Sequence, residues 1–153
     1  MTFRRLAVIV ATVATVAVAA FTVGACSGSP GSGSAPLASA AAATAAPANG
    51  AEVDAAGFAA ALKRPGTVVL DVRTPAEFAA GHLAGAVNVD VNAADFRTIV
   101  GGLAKDVPYA VYCRSGNRSA TALAIMKGLG FTNTFHLGGG IQAWTAAGGA
   151  VTQ

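Results

Sequence analysis

Cys113 is the residue whose neighbours best fit a reactive nucleophile. It follows the apolar segment 108–112 and precedes a stretch with helical spacing of apolar residues. Backbone N–H groups at a helix start have no intrahelical acceptor, so they stabilise a thiolate and lower its pKa. The loop that the sulfur would occupy consists of Cys113, Arg114, Ser115, Gly116, Asn117 and Arg118.

The residue types in this loop favour an anionic sulfur. Arg114 and Arg118 bring positive charge, and Gly116 allows the backbone to turn tightly towards the sulfur. Ser115 and Ser119 can donate further hydrogen bonds. The loop is therefore predicted to be a cradle for an anionic sulfur, first a thiolate and then a persulfide.

Strands alternating with helices must position this loop. Strands are predicted at 67–72, 86–91, 108–112 and 134–137, and helices at 53–62, 92–104, 117–129 and from the glycines 138–140 through Trp144. A further helix should start at Thr74 as N-cap, with Pro75 first and Glu77 closing a capping box. This order predicts an α/β fold with a largely parallel sheet. In such sheets the ligand site lies at the carboxyl ends of the strands, where Cys113 falls.

The motifs together resemble the single-domain rhodanese (thiosulfate sulfurtransferase-like) family over roughly residues 52–150. The matching segments are Leu70-Asp71-Val72-Arg73, Glu77-Phe78, the segment 81–88, the segment 112–119, and the glycines 138–140 with Trp144. The resemblance implies a three-layer sandwich in which a sheet of about five strands has helices on both faces. It also implies that Cys113 takes sulfur from a small donor (thiosulfate or a persulfide) and passes it to a thiol or cyanide-like acceptor. Asp71, Arg73 and Ser119 would support the loop.

Two other functions stay open from the sequence. Phosphatases and arsenate reductases of a similar fold use a loop one residue longer, with arginine six positions after the cysteine; here Ser119 stands there, and Arg118 comes at five. This shorter loop suits one sulfur atom better than a tetrahedral oxyanion. The second alternative is a non-enzymatic sulfur carrier or partner-binding module.

Charge and metal-ligand spacing exclude other classes. Residues 52–153 carry eight lysines and arginines against seven acids, which is too balanced for nucleic-acid binding. No cluster of His, Cys, Asp or Glu has metal-ligand spacing, so neither a metal nor a cofactor is predicted. His82 is expected to be structural, and His136 a core or edge histidine. The domain is expected to be a monomer.

The N-terminal segment predicts export. Residues 1–25 are a signal peptide or membrane anchor, with Arg4 and Arg5 before an uncharged apolar run. The residues 23–26 resemble a bacterial lipobox that would lipidate Cys26; a cleaved signal and an uncleaved helix remain alternatives. The segment 26–51, rich in Ala, Gly, Ser and Pro, is predicted to be a flexible linker before a rhodanese domain at 52–153. Each alternative places the domain outside the cytoplasm, on the outer face of the membrane or in the cell envelope.

Overall fold

A computed structural model of the chain describes residues 45–153. The predicted signal segment and Cys26 lie outside the described residues. Strands and helices alternate along the described part. In chain order they are β1 (Ala51–Val53), α1 (Ala55–Leu62), β2 (Val68–Asp71), α2 (Pro75–Ala79), β3 (Val87–Asn88), α3 (Phe96–Gly101), β4 (Tyr109–Tyr112), α4 (Asn117–Gly128), β5 (Thr134–Leu137) and α5 (Gly140–Ala146).

The five strands form one parallel sheet in the order β1-β5-β4-β2-β3. The central strand β4 pairs with β2 on one side, where Asp71 is opposite Tyr112, and with β5 on the other, where Val111 is opposite His136. Parallel strands all end at the same edge of the sheet, so the segments after β2, β4 and β5 emerge together. The predicted α/β fold with a largely parallel sheet is confirmed.

Alternate side chains of the strands point to opposite faces of the sheet, and each face is covered by helices. Val111 of β4 packs with Val100 of α3 and Met126 of α4. Its neighbours Ala110 and Tyr112 pack on the other face with Phe58 of α1, and part of α5 closes that cluster. The sheet therefore lies between two helical layers, as the three-layer prediction required.

The prediction of a helix from residue 53 is wrong at its start. Val53 belongs to β1, where it is paired with Leu137 of β5. The helix α1 begins at Ala55, because the Asp54 side chain accepts a hydrogen bond from the N–H of Gly57 at 2.8 Å and caps the helix. Val53, Phe58 and Leu62 have helical spacing, but the strand partner of Val53 is distant in sequence and no local pattern reveals it.

Two other elements are shorter than the sequence pattern predicted. The strand predicted at 86–91 is reduced to Val87–Asn88, and the helix predicted at 92–104 to Phe96–Gly101. Between them the Asp90 side chain accepts the N–H of Asn92 at 2.9 Å, which favours a turn over either regular structure. The N-terminal cap of α2 was predicted correctly, since the Thr74 and Glu77 side chains form the reciprocal capping box.

Contacts with the sheet begin just before residue 52. Asn49 accepts hydrogen bonds at 2.9 Å from both the N–H and the hydroxyl of Thr134 in β5, and the N–H of Gly50 donates to the Thr134 carbonyl at 2.6 Å. These bonds hold the start of β1 against β5. Within residues 45–153, no helix combines the length and the apolar character needed to cross a bilayer.

Candidate active site

The candidate site lies in the loop between β4 and α4. Cys113 directly follows the buried strand β4, and α4 starts at Asn117 after a turn at Gly116. The backbone of Gly116 has φ +97°, a conformation that glycine adopts without strain. A Cβ at this position would also lie 3.2 Å from the N atom of Gly139. The sequence thus turns the backbone sharply around the Cys113 side chain.

Hydrogen-bond donors surround the sulfur of Cys113. The N–H of Gly116 donates to Sγ at 3.1 Å, and the Ser119 hydroxyl lies 3.5 Å from it. The side chain is 1% exposed, and this burial by itself raises the pKa of the thiol. The Ser119 hydroxyl and the backbone N–H groups of Ser119, Ser115 and Gly116 outweigh burial, so the pKa of Cys113 is lowered overall. The loop therefore favours a thiolate.

Arg118 joins the loop to α2. Its guanidinium donates to both carboxylate oxygens of Glu77, at 2.7 and 2.8 Å. The same carboxylate accepts the N–H of Thr74 at 3.1 Å. Hydrogen bonding from Arg118 is the main cause that lowers the pKa of Glu77 to about 2, against the effect of burial. Arg118 is thus a brace for the loop, with its guanidinium directed at Glu77.

The outer side of the loop is exposed. Arg114, Ser115 and Asn117 are accessible to solvent, and Arg114 forms no ion pair with any residue of the described part of the chain. Of the two arginines that the sequence placed beside Cys113, Arg114 is the one whose charge remains available to an incoming anion.

The start of α5 packs directly on the loop. The N–H of Ile141 donates to the Cys113 carbonyl at 2.8 Å, and that of Gln142 to the Arg114 carbonyl at 3.3 Å. Gly140 makes this approach possible: a Cβ there would lie 2.4 Å from the Cys113 carbonyl oxygen. The helix predicted from the glycines 138–140 through Trp144 is α5, which begins at Gly140.

Asp71 and Arg73 form a buried ion pair at the end of β2. The Arg73 guanidinium donates to both Asp71 oxygens and, at 2.7 Å, to the carbonyl of Gly81. It also lies over the ring of Tyr112, 5.6 Å from the centroid. The pair makes no hydrogen bond to the loop itself. It fixes the segment after α2 and packs on the residue that precedes Cys113.

His136 contacts Ser119 of the site, which the sequence did not predict. It lies buried in the interior strand β5, and its Nδ1 is 3.1 Å from the Ser119 hydroxyl. Its Nε2 is 3.6 Å from a carboxylate oxygen of Glu52 in β1. No local pattern indicates this contact, because it depends on the pairing of β1, β5 and β4. His82, by contrast, stacks on Phe78, with the two ring centroids 3.8 Å apart.

The described residues contain no group of His, Cys, Asp and Glu that could hold a metal ion. Every donor around the Cys113 sulfur comes from the backbone or from a serine hydroxyl. The chemistry that these donors support is that of an activated thiolate.

Known proteins have the same organisation. A family model described as Rhodanese-like domain matches residues 54–147. The thiosulfate sulfurtransferase GlpE of Pseudomonas entomophila is 40% identical over 87 residues, covering 56% of this chain and 77% of that protein. GlpE of Pseudomonas fluorescens strain SBW25 is 41% identical over the same shares. A rhodanese-related protein of Thermoplasma volcanium superposes with a TM-score of 0.59 at 35% identity, covering 67% of this chain and 97% of that one.

Proposed function

The chain belongs to the rhodanese-like domain family and is a rhodanese-type sulfurtransferase, and on this premise we propose that Cys113 carries the transferred sulfur as a persulfide. The observation that carries the proposal is the set of donors at Sγ, which stabilises an anionic sulfur at that position. A persulfide formed on Cys113 is such an anion. The relatives that are named thiosulfate sulfurtransferases make thiosulfate the first donor to test.

The proposed reaction has two displacements. The Cys113 thiolate attacks the outer sulfur of thiosulfate, a new S–S bond forms, and the old S–S bond breaks as its electron pair leaves with sulfite. The product is an anionic persulfide on Cys113. An acceptor such as cyanide or a thiolate then attacks the outer sulfur, leaves with it, and restores the thiolate. Splitting the transfer in this way is nucleophilic catalysis.

Two features of the loop support this use. Arg114 forms no ion pair within residues 45–153 and offers its positive charge on the exposed side of the loop, where a dianionic donor would arrive. The donors of the loop converge on the single sulfur of Cys113. Arg118, the other arginine of the loop, is bound by Glu77. Neither feature favours a phosphatase or arsenate reductase, which needs donors spread around a tetrahedral oxyanion.

Turnover tests the proposal. The full chain is incubated with thiosulfate and cyanide, and thiocyanate is measured. We expect Cys113→Ser to reduce the rate to the background value, and Cys26→Ser to retain it. Equal activity in Cys113→Ser would refute the assignment. A protein that takes up sulfur but forms no thiocyanate would instead support the non-enzymatic carrier, which delivers sulfur only to a dedicated partner.

We also propose that the chain is a monomer held at the outer face of a membrane through a lipid on Cys26. The donors that lower the pKa of Cys113 all lie within six residues of it, so this set of donors is complete without a residue of a second copy. The lipobox-like residues before Cys26 support the lipid. Cys26→Ala is expected to move the protein from the membrane to the soluble fraction of an expressing bacterium. Unchanged retention would favour an uncleaved helix, and soluble native protein would favour a cleaved signal.

A further inference from the structure

A line of polar side chains runs from the sulfur of Cys113 away from the loop. Ser119 Oγ lies 3.5 Å from Sγ and 3.1 Å from Nδ1 of His136, whose Nε2 is 3.6 Å from Glu52. Ser119 is fully buried, and His136 is 5% exposed. The sulfur-transfer mechanism assigns no role to His136 or Glu52.

The Ser119 hydroxyl has one proton and three acceptors within reach. They are Sγ of Cys113, Nδ1 of His136 and, at 2.8 Å, the carbonyl of Gly116. The Gly116 carbonyl is the nearest of the three, but it already accepts the helical N–H of Ala120 at 3.0 Å, and a neutral oxygen attracts the proton less strongly than a sulfur anion does. Whether the proton reaches the sulfur is therefore decided largely by whether Nδ1 offers a proton or a lone pair.

We propose that His136 is a positioning residue that acts on Cys113 through Ser119. When Nδ1 carries a proton, it donates to Ser119 Oγ, and the hydroxyl is free to donate to the sulfur anion. When Nδ1 is bare, Ser119 donates to His136 instead and its proton is turned away from the sulfur. The inference rests on the proposed function only in taking Cys113 as the nucleophile.

The charges around His136 determine when Nδ1 is protonated. Glu52 faces it from the neighbouring position of β1, and its paired residue on β4 is the apolar Val111. From α4, Lys127 lines the same cavity of about 270 Å³ that His136 borders. Burial lowers the pKa of His136, and Glu52 raises it by less. Both ring nitrogens therefore carry a proton only at a pH below the ordinary pKa of histidine. The Glu52 carboxylate near Nε2 favours this protonated form.

The predicted consequence is a coupling between the two titrations. Protonated His136 stabilises the Cys113 thiolate and lowers the pKa of the thiol; a thiolate in turn raises the pKa of His136 by the same amount. A hydrogen bond to a charged group is expected to shift its pKa by about one to two units. The 3.5 Å distance places the expected shift at about one unit.

The test follows the alkylation of Cys113 by iodoacetamide across pH in the full chain, with peptide mass mapping to separate it from Cys26. In the native protein, the rate of alkylation plotted against pH should show the transition of the Cys113 thiolate. It should also show a second inflection, caused by His136, at a pH below the ordinary histidine range. His136→Leu should remove that inflection. His136→Asn keeps an N–H near the place of Nδ1 but cannot titrate, so the thiolate transition should remain while the inflection disappears. His82→Asn is the matched control, because the chain has two histidines, and it should keep the inflection.

A double-substitution cycle isolates the route through Ser119. Ser119→Ala should raise the thiolate pKa by about one unit. In that background, His136→Leu should cause no further change in the pH profile. Equal effects of His136→Leu with and without Ser119 would overturn the proposal, as would an inflection that His82→Asn removes. Alkylation reports the thiolate whether or not sulfur is transferred, so failure here leaves the sulfurtransferase assignment standing, and loss of turnover alone leaves this inference standing.

Discussion

Gly140→Ala is the substitution that most directly tests how the loop is held. Gly140 has φ +60°, and a Cβ there would lie 2.4 Å from the Cys113 carbonyl oxygen and 2.5 Å from the Arg114 carbonyl carbon. Real Cβ atoms essentially never approach closer than 3.0 Å, so the backbone of the loop or of α5 must shift by at least about 0.6 Å. Such a shift displaces the Cys113 sulfur and the donors that surround it from their positions in the native protein.

The cost can be worked out from the contacts. An L-residue in the left-handed region costs about 1 kcal/mol. The displaced backbone loses the two bonds from Ile141 and Gln142 to the loop carbonyls, at about 1 kcal/mol each. We therefore expect the free energy of unfolding to fall by about 3 kcal/mol. Misplacement of a reacting group by about 1 Å can cost on the order of 100-fold, so kcat/KM should fall between about 10- and 100-fold.

Gly148→Ala provides the matched control. Gly148 also has a positive φ, +81°, but no atom lies within 4 Å of the position that its Cβ would take. It should therefore show the conformational cost of about 1 kcal/mol without loss of activity. The assays are denaturant-induced unfolding and thiocyanate formation. If Gly140→Ala matched Gly148→Ala in both assays, the conclusion that packing of α5 positions the loop would be refuted.

Other substitutions probe the ion pairs and the charge at the loop. Glu77→Gln should destabilise the fold at neutral pH. Because the pKa of Glu77 in the folded protein is about 2, below its ordinary 4.5, the ion pair with Arg118 stabilises the fold fully above about pH 4.5. The difference in stability from the native protein should vanish as the pH falls towards 2. A difference that stayed constant over this range would contradict the role of the Arg118 pair. Asp71→Asn should cost about 3–5 kcal/mol in unfolding free energy, since it leaves Arg73 buried without its partner; a loss below about 1 kcal/mol would refute this. Arg114→Gln should raise KM for thiosulfate several-fold and change kcat little, with less dependence on salt; an unchanged KM would argue against this residue as the anion contact.

The elements that depend only on residues close together in sequence were predicted correctly. The Thr74 cap with Pro75 and Glu77 is a short-range device, and α2 forms where it was predicted. The strand 134–137 has no competing helical periodicity, and β5 has the predicted bounds. The prediction for Val53 was wrong because this residue pairs with β5, a segment more than eighty residues away. Apolar spacing alone cannot distinguish such a strand from a helix.

The contacts of the site also divide into those between residues close in sequence, which were predicted, and those that depend on the fold, which were not. The donors around Cys113 lie within six residues of it, so the sequence contained them. Arg118 was visible, but its partner Glu77 is forty-one residues away, and only the fold shows that the guanidinium is held by that carboxylate. His136 of β5 contacts Ser119 of α4, and nothing near either residue in sequence indicates this contact. Contacts that require a particular strand order could not be predicted from local chemistry.

The central claim is that the sulfur in transit is bound covalently to Cys113. Its most direct test is the mass of the Cys113 peptide from the full chain after exposure to thiosulfate and removal of excess donor. We predict that this peptide gains the mass of one sulfur atom and that cyanide removes it with release of one equivalent of thiocyanate. An unmodified Cys113 in a protein that still produces thiocyanate, or sulfur found on Cys26 instead, would contradict the account.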